Sequence, residues 1–111
     1  MIMSLLSVVL AAAPSPTVPP YPESLACAAV TQSAAELAKA ANGGDLEMTS
    51  FNLAFTWSFI VMESARLAGM SSAAAEADQT RERERVKPML KAGDAATVAL
   101  LASCAEGHSD D

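Results

Sequence analysis

The chain has 111 residues and a formal net charge of −6, which allows one domain and argues against a nucleic-acid binder held by phosphate neutralisation. Hydrophobic residues make up 51 %, but 24 of them are alanine, so the larger apolar side chains suffice only for a thin helical core. One His and two Cys, with no clustered ligand set, exclude most metal and nucleophilic chemistry.

Residues 1–13, MIMSLLSVVLAAA, form an uncharged apolar run. As a helix the stretch from Ile2 to Ala13 reaches about 18 Å, against about 30 Å of bilayer hydrocarbon, so it is too short to span a membrane. It fits the apolar region of a secretory signal, with Ala11, Ala12 and Ala13 as small residues for cleavage after Ala12 or Ala13. The alternative is a buried N-terminal core helix. Residues 14–22 carry Pro14, Pro16, Pro19, Pro20 and Pro22. Fixed φ angles and missing N–H groups make this an extended spacer. A lipid anchor on Cys27 is disfavoured: Ser24 stands where an aliphatic residue is needed, and prolines separate Cys27 from the apolar run.

The helical domain is expected over 23–106. From Glu23 to Ala41 there is no Gly or Pro, and Cys27, Val30, Ala34, Leu37 and Ala41 draw one stripe at helical spacing. Asn42-Gly43-Gly44-Asp45 stops and turns the chain. The second helix runs from Leu46 to Ala68, with Asp45, Thr49 or Ser50 as N-cap. No charge occurs between Thr49 and Met62, and all three Phe and the only Trp lie here. This predicts a central helix, with Phe51, Phe55, Trp57, Phe59 and Ile60 as core. Gly69 ends it. A third helix starts at Ser71 or Ser72 and runs to about Lys87, where Pro88 forces a kink or restart. Asp94 caps a fourth, Ala95 to Ala105, and residues 107–111 form an acidic, frayed tail. No strand alternation, hairpin signal or repeat is visible. Short connections predict an all-α fold, a small up-and-down four-helix bundle.

In such a bundle Cys27, near the start of the first helix, and Cys104, near the end of the last, meet at one pole on adjacent helices. After export they form a disulfide. It closes a loop of about 78 residues, worth roughly 4 kcal/mol in the chain-entropy model. The alternative is two buried thiols in a cytosolic protein. There is no Cys-x-x-Cys for redox or haem chemistry, no phosphate loop and no His-Glu-x-x-His. His108 has Glu106, Asp110 and Asp111 as neighbours, but a frayed tail does not preorganise a metal site. No cofactor and no metal are expected.

Arg81-Glu82-Arg83-Glu84-Arg85 is the most distinctive surface run. Its plain reading is a solvated helix face with i,i+3 pairs Asp78/Arg81, Glu82/Arg85 and Glu84/Lys87. Its sharper reading is a contact patch, Arg81, Arg83 and Arg85, for an acidic partner.

The leading expectation is a small exported, periplasmic or secreted bacterial protein of binding or structural role, not an enzyme. It would have no nucleic-acid partner and no stable membrane span; its protein partner and oligomeric state are not legible. The second reading is a stress chaperone that exposes Phe51, Phe55 and Phe59 in mild acid. Periplasmic acid chaperones are similar in size, in export and in having two cysteines, although Leu25-Ala26 precede Cys27 where that family carries a Trp-x-Cys motif. The third is an enzyme with a carboxylate site, for which Glu63 is the candidate.

Overall fold

The computed structural model describes residues 18–107. The leader, residues 14–17 of the spacer, His108 and the last residues of the tail lie outside them. Among the described residues there are four helices and no strand: α1 Tyr21–Ala41, α2 Met48–Leu67, α3 Ser72–Lys91 and α4 Ala95–Glu106. They form a helical bundle closed by one disulfide, Cys27–Cys104, with the two Cα atoms 5.6 Å apart.

The helix limits follow from local chemistry. α1 begins at Tyr21, two residues inside the expected spacer, with Pro22 in its first turn. Proline is tolerated there because the first-turn N–H groups have no intrahelical acceptor in any case. α2 is capped by Glu47, not by the expected Asp45, Thr49 or Ser50. Its carboxylate accepts from the backbone N–H of Ser50 at 2.9 Å and of Thr49 at 3.3 Å. Ser71 Oγ caps α3 by accepting from Ala74 N at 3.1 Å, and Asp94 caps α4 by accepting from Thr97 N at 3.0 Å.

α3 does not restart at Pro88 but runs on to Lys91. With Pro88 so close to the end, only one interior bond, to the Glu84 carbonyl, is forfeited. The turns after α2 and α3 share one device. Gly69 and Gly93 adopt φ of 80° and 77°, and the next residues, Met70 and Asp94, donate back to Ala65 O and Met89 O at 2.9 and 3.0 Å. This is the Schellman closure, which requires the left-handed conformation that glycine adopts without strain.

Hydrogen bonds fix the helix directions. Ser64 on α2 donates to Pro19 O, just before α1, at 3.0 Å, while Gln32 in mid-α1 donates to Ser58 at 2.8 Å, so α1 and α2 are antiparallel. Gln32 also donates to Gln79 at 2.9 Å, and Lys87 reaches Glu36 at 2.9 Å, so α1 and α3 run the same way.

The central helix is α1, not α2 as its lack of charge suggested. α1 packs against all three others. Ala28, Ala29, Val30, Thr31 and Ser33 are at most 1 % exposed. Small side chains around most of a helix let neighbours approach on several sides, whereas bulky rings hold them off. The core joins Cys27, Ala28 and Val30 of α1 with Trp57 and Val61 of α2, Val86 of α3 and Cys104 of α4. Ile60 packs partly buried against it.

Three of the expected core residues are outside it. Phe51, Phe55 and Phe59 are 36, 65 and 74 % exposed. The helix is apolar on nearly all sides, but it can turn only one side to α1. The side turned inward carries Trp57 and Val61 with Ala54, Ser64 and Ala65, and these three small residues permit a close approach. The phenylalanines are left facing away from the core.

Candidate functional site

Seen along α2, Met48, Phe55, Phe59 and Arg66 fall on one outward line at helical spacing, with Phe51 beside it. Met48 is 56 % exposed. The Phe51 and Phe55 rings stack with centroids 6.2 Å apart and planes 24° from parallel. An apolar ridge, interrupted by the exposed Asn52, therefore runs from Met48 to Phe59. No ionisable side chain interrupts it between Glu47 and Glu63. Isolated exposed apolar residues are ordinary, but an aligned aromatic run on a 20-residue helix is the kind of patch that marks a docking surface.

The ridge is bounded by Glu47 at one end and by the Glu63–Arg66 pair at the other. Glu47 sits at the N-terminal end, its carboxyl held below the usual range chiefly by Ser50 and also by Thr49. At the other end Arg66 Nε donates to Glu63 Oε1 at 3.0 Å, which holds the Glu63 carboxyl low. A carboxyl acting as general acid near neutrality needs the opposite shift. Beside this pair lies a cleft of about 420 Å3 floored by Phe59, Met62 and Met70 and edged by Glu63 and Arg66.

The arginine run of α3 is largely occupied within the chain. Arg81 pairs with Asp78, and Arg85 with Glu82 at 2.8 Å. Arg83 turns toward α1: Nη1 donates to Gln32 Oε1 at 2.6 Å, and Nε lies 3.8 Å from Glu36. Lys87 also goes to Glu36, not to Glu84. The side chains of Arg81 and Arg85 remain mostly exposed, so the three arginines do not converge on one point.

Gln32 is a junction of the fold that periodicity did not single out. It accepts from Arg83 and donates to Gln79 and Ser58, joining three helices. It stands off the apolar stripe of α1, so spacing along that helix does not mark it.

Among the described residues no group of His, Cys, Asp and Glu is placed to hold a metal ion, and no helix is long and apolar enough to cross a membrane. The chain matches no family model, no curated protein and no solved structure.

Proposed function

We propose that this is an exported, non-catalytic docking protein. In this reading a signal peptide over residues 1–13 and a proline-rich spacer lead into an up-and-down bundle that offers the α2 ridge to an apolar partner surface. The single observation that carries the docking role is the exposure of Phe51, Phe55 and Phe59 along a charge-free helix face. Export is supported by the Cys27–Cys104 disulfide, a bond kept in oxidising compartments.

Export is tested by expressing the full-length gene in a bacterial host and measuring intact mass in the periplasmic fraction without reductant. The expected species has lost its residues up to Ala12 or Ala13 and has both cysteines oxidised. A full-length cytoplasmic product with free thiols overturns export. Docking is tested at high dilution with an environment-sensitive apolar dye. Phe55→Ser/Phe59→Ser should abolish most of the dye signal while leaving the helical circular dichroism unchanged; a signal indifferent to that pair overturns the ridge as a docking surface.

The same ridge favours a second reading, a chaperone that holds unfolded chains. The phenylalanines already face away from the core, so such a protein would need no acid-driven opening. Wild type would then suppress aggregation of a reduced, unfolding client at neutral pH, and the Phe55→Ser/Phe59→Ser variant would not.

A further inference from the structure

We infer that the occupant of the α2 ridge is a second copy of this chain, laid across it antiparallel about a two-fold axis at the level of Trp57. The inference rests on the docking reading above and names the partner. Two observations carry it.

The first is the symmetry of the ridge. In an antiparallel pair centred at residue 57, each position meets the one equally far on the other side of the centre. Phe55 then meets Phe59 of the other copy, and Phe59 meets Phe55, so the two most exposed rings on each helix cover each other. The same register sets the Met48 end of one helix against the Arg66 end of the other. Glu47 and Arg66, about 28 Å apart on one helix, carry opposite charges. Antiparallel pairing therefore brings Glu47 of each copy toward Arg66 of the other at both ends of the contact, whereas parallel pairing sets Glu47 against Glu47 at one end. A two-fold contact must be self-complementary, and this face is. Arg66 keeps only an exposed pair with Glu63 in the single chain, so it is free to bridge both carboxylates.

The second is area. With aromatics burying about 150–250 Å2 each, the exposed fractions of the three rings supply about 350 Å2 per copy. Met48, on the same line, brings the two-copy total to about 900 Å2, in the range of weak, transient contacts. The expected dimer is thus weak and concentration-dependent. No ionisable side chain lies between Glu47 and Glu63, so none must be desolvated at the Phe55–Phe59 centre; Glu63, opposite Phe51 in this register, keeps its pair with Arg66.

The test is sedimentation equilibrium of the oxidised chain over a wide concentration range, with circular dichroism as the folding control. Wild type should pass from monomer to dimer. Phe55→Asp/Phe59→Asp should remain monomeric, and Phe55→Ser/Phe59→Ser should do the same where aspartate impairs folding. Arg66→Glu alone and Glu47→Lys alone should each weaken self-association. An equimolar mixture of those two should form a heterodimer at least tenfold tighter than either homodimer, because both ends then pair opposite charges.

A wild-type monomer at every concentration overturns the inference, as does a dimer indifferent to the phenylalanine substitutions or a mixture with no preference for the heterodimer. The docking reading fails separately. A monomer whose ridge still binds the apolar dye, or phosphatidylcholine vesicles, in a phenylalanine-dependent way leaves docking intact and removes only the second copy. A monomer without such binding removes both.

Discussion

Trp57 donates its indole Nε1–H to the carbonyl oxygen of Cys104 at 3.2 Å. The chain's only Trp is therefore tied to the backbone of the residue that forms the cross-link, and both are at most 5 % exposed. The disulfide does more than join α1 to α4. It fixes the carbonyl that satisfies the largest polar ring in the core, and a buried indole N–H without an acceptor is costly.

Replacing both cysteines by alanine, or reducing the bond, should accordingly cost more than two small side chains. The cysteines lie 77 positions apart, and releasing a loop of that length corresponds to roughly 4 kcal/mol in the chain-entropy model. For a domain this small, that lowers the melting temperature by roughly 20 °C. Calorimetry with and without reductant measures it. Trp57 emission should shift to the red in parallel, because the ring loses the wall that α4 provides.

Ridge and core on α2 should separate cleanly. Val61 has 0 % exposure, and Val61→Ala should destabilise by roughly 2 kcal/mol through lost burial and the cavity left behind. Phe59→Ser, on the opposite side and 74 % exposed, should change unfolding stability by no more than about 0.5 kcal/mol. Urea titrations read both, run at dilution so that self-association does not enter. A loss for Phe59→Ser as large as for Val61→Ala would put the ridge in the core after all.

This contrast also marks what was legible in the sequence. Four helices, their glycine stops, the Ser71 and Asp94 caps and the cysteine pairing follow from local chemistry and from short connections, and each can be read one residue at a time. The orientation of α2 cannot. Between Thr49 and Met62 every face lacks charge, so helical periodicity carries no sign saying which side turns inward. Size decided it. The inner side flanks Trp57 and Val61 with Ala54 before them and Ser64 and Ala65 after them, and it meets a helix whose own buried residues are mostly Ala, Ser and Thr. The small-residue girdle of α1 was the available signal for the central helix. Weighting apolarity over the chance of close approach pointed to α2 instead. The roles of Gln32 and Arg83 depend on a partner across the helix interface, and no spacing along one helix reports that.

Tyr21 provides an alkaline probe of the α1–α3 contact. Its hydroxyl donates to Asp78 Oδ2 at 2.8 Å. Burial first, and then the hydrogen bond and charge of Asp78, push its pKa up from 10.0 to about 12. The folded value lies above the unfolded one. The associated stabilisation is therefore complete below pH 10 and is lost as pH rises toward 12. Tyr21 is the only tyrosine, so phenolate absorbance follows it alone. Asp78→Asn should bring the midpoint part of the way back toward 10, since burial remains; a wild-type midpoint at the ordinary value would show that the contact is absent.

Asp94 governs part of the acid limb. Hydrogen bonds from the Thr97 hydroxyl, at 2.7 Å, and from the Thr97 N–H hold its carboxyl below its ordinary 3.8. The folded pKa is depressed, so the stabilisation is present above the ordinary value and disappears as pH falls through the folded one. Asp94→Asn keeps an acceptor for the cap and removes the titration. Urea midpoints at about pH 6 and about pH 3 should therefore differ less in Asp94→Asn than in wild type. Glu47, which caps α2 with a carboxyl lowered in the same way, accounts for part of the remaining difference.

Ser33 points to a substitution that should improve the fold. It lies on α1 at 0 % exposure, and its Oγ is the buried side-chain oxygen among the described residues that lacks a hydrogen-bond partner. Folding strips water from that hydroxyl and returns nothing, at a cost of about 1–3 kcal/mol for a group of this kind. Thr31, two residues earlier, escapes the cost because its Oγ1 donates to Cys27 O at 2.7 Å. Ser33→Ala removes one oxygen, leaves a void smaller than a methyl group, and replaces serine by the best helix former. It should stabilise the chain by roughly 1 kcal/mol, read as a higher urea midpoint at unchanged slope. Thr31→Ala is the control with the opposite sign, because it removes a methyl group from the core along with a hydroxyl that is already satisfied. Destabilisation by Ser33→Ala would mean that a bound water completes the site, and the hydroxyl would then belong to the fold's hydrogen-bonded framework.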